Sequence, residues 1–227
     1  MVRVRIENVV ASSSLGSKLD LQAIALNLDR AEYEPARFPG LIYRLDQPRT
    51  AVLLFHSGKV VCTGGKSWKE VDETIRIVSA MIRKGGQKIV AHPQLVVQNI
   101  VATSDLGCEI NLNSVAVTLG LDRVEYEPEQ FPGLICRIDD PRVVVLLFGS
   151  GKLVCTGARR PADIARAVQK ITDELRDSEL LHQERTPARP EDGRAPRRSR
   201  VPANAPVGAR TVPAPAGRPV APPVVAQ

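Results

Sequence analysis

Up to Leu181 the chain alternates short apolar runs, punctuated by turn residues, with two long amphipathic stretches. Val71, Ile75, Val78 and Ile82 fall at i, i+4, i+7 and i+11, and Ile164, Val168, Ile171 and Leu175 repeat that spacing. Each stretch predicts a helix with one apolar stripe, the first ended by Gly85-Gly86 and the second opened by Pro161. Strands are predicted between turn signals at Pro39-Gly40, Gln47-Pro48 and Ser57-Gly58, and again at Pro132-Gly133, Asp140-Pro141 and Ser150-Gly151. Opening strands at Val4–Ser12 and Leu95–Thr103 lead to short helices capped by Asp20 and Asn111, residue types that accept the free N–H groups of a first turn.

These elements form two copies of one unit. Asn8-Val9-Val10-Ala11-Ser12 returns as Asn99-Ile100-Val101-Ala102-Thr103, and Tyr33–Gly64 matches Tyr126–Gly157 at 23 of 32 positions. That is an internal duplication, with residues 1–91 and 92–182 as the repeats. Two helices per copy can cover only one face of the strands. Alternation puts Ala51, Leu53, Phe55, Val61 and Thr63 on one face and Val52, Leu54, Val60 and Cys62 on the other, and both sets are largely apolar. The uncovered face is therefore either a binding surface or the seat of a second sheet, such as a partner copy in a homodimer.

Composition narrows the choice. The chain has 227 residues and a formal charge of +6. The segment 183–227 holds 8 Arg against 3 acidic residues, so the two repeats are close to neutral. With 10 Pro and no aromatic residue, that segment predicts a mobile tail, either a source of salt-sensitive affinity for nucleic acid or an inert extension. The first residues carry Arg3, Arg5 and Glu7 and no apolar core of a signal peptide. Val143–Phe148 is far too short to cross a bilayer, so no membrane association is expected. Cys62, Cys108, Cys136 and Cys155 lack metal-ligand spacing and are expected as reduced thiols in a cytoplasmic setting, with Cys62 and Cys155 in the core. Gly65-Lys66-Ser67 resembles the end of a phosphate-binding loop, but Val60 stands where its first glycine belongs. No acid–base or nucleophile constellation clusters, which argues against an enzyme.

The four phenylalanines carry the repeat further. Phe38 and Phe55 are 17 residues apart, as are Phe131 and Phe148, and all four lie at turns or strand ends rather than mid-strand. Glu34–Arg44, Pro48-Arg49, Leu54–Gly64 and their second-copy counterparts closely resemble the core of the TATA-binding protein family, in its archaeal rather than eukaryotic form. The resemblance spans Val2–Leu181.

It implies an α+β fold: a saddle-shaped, pseudo-twofold duplication with a curved ten-stranded antiparallel sheet and helices on the convex face. It implies a transcription initiation factor that binds the minor groove of A·T-rich promoter DNA, without a cofactor or metal. The family kinks the duplex with apolar wedges, which match Phe38, Phe55, Phe131 and Phe148. Groove-floor contacts match Asn8, Val10, Leu53, Val61, Thr63, Asn99, Val101, Leu146, Val154 and Thr156. Phosphate contacts match Arg44, Lys59, Lys66, Arg137, Lys152 and Arg159, the last an Arg where the family commonly has Lys. The acidic segment with Glu127 and Glu129 matches the family's surface for transcription factor B, although Gln130 stands where an apolar residue is frequent. RNA polymerase is the further partner implied, and the location implied is nucleoid-associated.

Overall fold

The computed structural model describes residues 2–120 and 122–181; the expected tail lies outside the described residues. In the first repeat, β1 (Arg5–Ser14) leads into α1 (Leu21–Asn27), three strands β2 (Gly40–Leu45), β3 (Thr50–Phe55) and β4 (Lys59–Gly65), and α2 (Trp68–Lys84). The second gives β5 (Val96–Asp105), α3 (Leu112–Leu119), β6 (Val124–Glu125), β7 (Gly133–Ile138), β8 (Val143–Phe148), β9 (Lys152–Ala158) and α4 (Pro161–Asp177). Local chemistry sets the helix starts as expected. Asp20 accepts from the Ala23 N–H and Asn111 from the Ser114 N–H, while Pro161 occupies the first turn of α4.

All nine strands form one antiparallel sheet in the order β2-β3-β4-β1-β5-β9-β8-β7-β6. The central pair shows how the duplication is used. In the β1–β5 register Val9 faces Ile100, its own counterpart in the other copy, and the flanking pairs Asn8–Val101 and Val10–Asn99 are each other's images. An antiparallel pair that maps onto itself in this way has a local twofold axis through Val9–Ile100. The symmetry is thus written into the register, and each repeat lends one long strand to the joint.

Nine strands form where the resemblance implies ten. The missing strand is reduced to a single bridge between Glu32 and Ile42, the image of the Glu125–Ile135 pair that joins β6 to β7. Two differences account for this. Ala31 stands where β-branched Val124 supports a second pair, and Arg30 has a left-handed φ of 65° that turns the chain away.

The helices all pack on one side of the sheet. Val71, Ile75, Val78 and Ile82 of α2 close over Val52, Leu54, Val60 and Cys62 in one core. Ile164, Val168, Ile171 and Leu175 of α4 close over Val145, Leu147, Leu153 and Cys155 in the other. Every one of these residues is at most 3 % exposed. Cys62 and Cys155 sit in those cores as expected; loss of water pushes their thiols up to about 11 and about 12. No helix of the described residues is long and apolar enough to cross a membrane.

Candidate nucleic-acid interface

No element of the described residues covers the other side of the sheet, and the registers arrange its side chains in rows that run across the strands. One row holds Ile42, Leu53, Val61 and Ser12, on β2, β3, β4 and β1. Its image holds Ile135, Leu146, Val154 and Thr103, on β7, β8, β9 and β5. All eight are half-buried, as residues are when flanked by neighbours but roofed by nothing. Val10 and Val101, beside the twofold axis, continue the same small apolar surface.

The next row runs Arg44, Ala51, Thr63 in one half and Arg137, Val144, Thr156 in the other, and each ends on an asparagine. A bulge makes the link. Between Val9–Gly65 and Ala11–Cys62 the strand β4 carries one residue more than β1, and Gly64 within it has φ 96°. A Cβ on Gly64 would come within 3.1 Å of the Arg49 carbonyl, so only glycine fits this turn of the chain. The bulge frees the Gly64 N–H, which donates to Asn8 Oδ1 at 2.8 Å; Gly157 donates to Asn99 Oδ1 at 2.7 Å. Because a backbone N–H can only donate, Oδ1 is fixed as the acceptor and the amide cannot be flipped. The Nδ2 groups donate to Thr63 Oγ1 at 3.2 Å and Thr156 Oγ1 at 3.1 Å, which leaves each amide one N–H to offer on the open face.

The aromatic residues stand in pairs at the two ends. Phe38 and Phe55 meet edge to face with centroids 6.0 Å apart, and Phe131 and Phe148 do so at 5.9 Å. None is in a core; Phe131 is 37 % exposed and the other three are half-buried. Each pair rests on a glycine. A Cβ on Gly40 would lie 2.7 Å from the Phe38 ring and 3.1 Å from the Phe55 ring, and on Gly133 2.7 Å and 3.0 Å from Phe131 and Phe148. Pro39-Gly40 and Pro132-Gly133, expected only as turn chemistry, therefore serve a second purpose: Gly40 and Gly133 open β2 and β7 and leave room for both rings. The phenylalanine-proline-glycine triplet recurring at the repeat offset was the signal available for that.

The six basic positions are all exposed, but they are not equally free. Arg44 is paired with Glu32, and Arg137 with Glu125 at 3.0 Å, a symmetric arrangement of screened surface pairs. Lys66 donates to Glu7 at 3.2 Å, while Lys59, Lys152 and Arg159 have no ion pair among the described residues. Glu7 was not anticipated as part of this surface. Hydrogen bonds from Lys66, Arg5 and Thr103 hold its carboxyl below the usual carboxylate range. Its image, Gln98, makes a single bond to Ser12 at 2.8 Å. Glu127 and Glu129 are exposed in the turn before Phe131.

A paired, open-faced sheet of this kind has close relatives. A sequence profile of the family described as transcription factor TFIID, or TATA-binding protein, matches residues 3–85 and again 94–178. The chain belongs to the TATA-binding protein family. It is 54 % identical over 178 residues to TATA-box-binding protein E of Halobacterium salinarum, covering 78 % of this chain and 96 % of that one. Against the TATA-box-binding protein of Thermoplasma acidophilum the identity is 55 % over 179 residues, 79 % of this chain and 97 % of the relative. The solved structure of the Methanococcus jannaschii protein of the family superposes with a TM-score of 0.72 at 47 % identity, over 77 % of this chain and 99 % of that one. The family is one of transcription factors, not of enzymes, and no cluster of metal-ligating side chains occurs among the described residues.

Proposed function

We propose that this chain is a general transcription initiation factor that binds the minor groove of A·T-rich promoter DNA across the open face, with the repeats 1–91 and 92–182 as its two halves. The observation that carries this reading is the combination of an unroofed apolar floor with a phenylalanine pair, each on its glycine, at either end. Small apolar groups such as Val10, Leu53, Val61 and their images exclude the guanine 2-amino group, the only donor on a minor-groove floor. The free N–H of Asn8 and of Asn99, close to the twofold axis, meets the adenine N3 or thymine O2 acceptors that every A·T pair presents. Phe38 and Phe55 at one end, and Phe131 and Phe148 at the other, enter base steps and kink the duplex. Each insertion costs a few kcal/mol of stacking and is offset by the extra surface a bent duplex lays on the sheet. TA steps unstack most readily, so sequence is read partly as deformability. Lys59, Lys152 and Arg159 meet phosphates directly, whereas Arg44, Lys66 and Arg137 first exchange a carboxylate for a phosphate. Glu127 and Glu129, exposed in the turn before Phe131, recruit transcription factor B, and through it RNA polymerase.

A gel-shift assay with an A·T-rich and a G·C-rich duplex, the site permuted along the fragment, tests this. The A·T duplex is shifted and bent, and the G·C duplex is not; equal shifts overturn the reading. Phe148→Ala reduces the bend while the thermal midpoint stays within a few degrees, because its ring lies outside the core. With transcription factor B added to the shifted complex, Glu129→Arg loses the supershift and keeps the shift; loss of both would remove Glu129 from the partner surface.

A further inference from the structure

The two ends of the open face are built on one backbone plan but carry different chemistry. In the second half the row Ile135, Leu146, Val154, Thr103 continues onto Arg5, which pairs with Thr103 across β1 and β5. In the first half the row Ile42, Leu53, Val61, Ser12 continues onto Val96. One step outward the same substitution recurs. Ser104 Oγ donates to the Arg3 carbonyl at 3.0 Å and Ser13 Oγ to the Gln94 carbonyl at 2.8 Å, so Arg3 and Gln94 are anchored alike and differ in their side chains. Arg3 and Arg5, with Lys152 and Phe148, line a groove of about 780 Å³ that opens beside the second aromatic pair. Lys59 matches Lys152 in the first half, whereas Asp105 and Glu7 are matched there by Ser14 and Gln98, so the ends differ in where charges are placed rather than in their sum.

Two carboxylates face these guanidiniums. Asp105 lines the same groove, and its Oδ1 accepts from the Gly107 N–H at 2.9 Å. Glu7 engages Arg5 only through Nε and shares its charge with Lys66 and Thr103. The terminal nitrogens of Arg5 therefore remain available on a side chain that is 77 % exposed, and Arg3 has no ion pair among the described residues.

We propose that Arg3 and Arg5 give the pseudo-symmetric face its polarity: they hold phosphates beside the Phe131–Phe148 end that Gln94 and Val96 cannot hold at the other, and so fix which way round the duplex binds. The inference rests on the minor-groove reading above and adds to it the residues that choose orientation. Neither guanidinium needs to touch a base. Two guanidiniums free to reach phosphate at one end, with no counterpart at the other, are enough to bias a two-state choice of orientation.

The test uses a self-complementary A·T core in which the phosphates of one half are replaced by neutral methylphosphonates. All four native cysteines are buried, so an iron-chelate cleaver attached through Ala36→Cys, in the exposed turn before Phe38, labels one end selectively. The Arg3–Arg5 end settles on the charged half, and cleavage falls on the neutral half with a bias of about tenfold. R3Q/R5V, which copies the first half, brings the bias within about twofold and lowers the log–log salt slope by roughly 2. Q94R/V96R, which adds charge instead of removing it, also erases the bias, and misfolding cannot mimic that result while the shift persists. Even cleavage by the parent protein, or a bias that survives in both variants, overturns the proposal. Absence of any shift on the unmodified A·T duplex would instead defeat the minor-groove reading itself.

Discussion

The two faces of the sheet are made from the same strands and from residues of nearly equal apolarity, yet they play opposite parts. On β3, Val52 and Leu54 are wholly buried, while Leu53 and Phe55, one position along, are half-buried. On β4, Val60 and Cys62 are sealed under α2, and Val61 and Thr63 are not. Burial of apolar area stabilises by about 25 cal/mol per Å² removed from water, and only the helix side collects that in full. The open side keeps its share in reserve for whatever later covers it. Such a surface survives in water because its apolar groups are small, interrupted by threonines, serines and asparagines, and edged with charged side chains.

Leu54→Ala and Leu53→Ala separate the two parts most sharply. The first removes a fully buried side chain from between the sheet and α2 and leaves a cavity, a loss of about 2–5 kcal/mol in chemical denaturation. The second costs about 1 kcal/mol or less, and weakens the complex with an A·T duplex instead. A comparable stability loss for both would mean that the open face is packed in solution, as a homodimer would pack it.

The duplication made most of this legible in the sequence. A short apolar run cannot reveal which of its faces is covered, but two copies with only four helices to share could be covered on one side alone. The N-caps Asp20 and Asn111, the helix stripes and the end positions of the phenylalanines rest on local rules, and the structure repeats them. What local rules could not supply was anything set by the register between distant strands. Glu7 meets Thr103 across the axis from 96 residues away, and a bulge carries the Gly64 N–H to Asn8 from 56 residues away. The tenth strand was lost for a related reason: Ala31 and Arg30 occupy an edge where one weak pair decides whether a strand exists. Gly40 was visible as a glycine, but its contact with two rings depends on β2 lying against the end of β3.

That contact gives the next test. In Gly40→Ala the new methyl would stand 2.7 Å from the Phe38 ring, 3.1 Å from the Phe55 ring and 3.3 Å from the Leu54 carbonyl. The rings are the only neighbours among these that can give way, so they swing off the position proposed for entry into a base step. A stability loss of about 1–3 kcal/mol is expected, together with a smaller bend angle at the Phe38–Phe55 end only. If the variant bends DNA as the parent does, the glycine is incidental to the wedge.

The smallest effect probes the dryness of the helix side. Burial raises Cys155 to about 12 from an ordinary value of 9.0, so over this range the folded protein keeps its proton while the unfolded chain releases it. Folding is then favoured fully below pH 9 and progressively less above it, because the unfolded state binds fewer protons. Cys155→Ala removes that dependence. The parent's advantage over the variant therefore shrinks by about 1.4 kcal/mol between pH 8 and pH 10, read from denaturation midpoints at matched salt. The paired design cancels the titration of surface lysines and tyrosines, which the two proteins share. A constant difference across that range would require water to reach the thiol in the folded state, and with it the space between β9 and α4 on the covered side of the sheet.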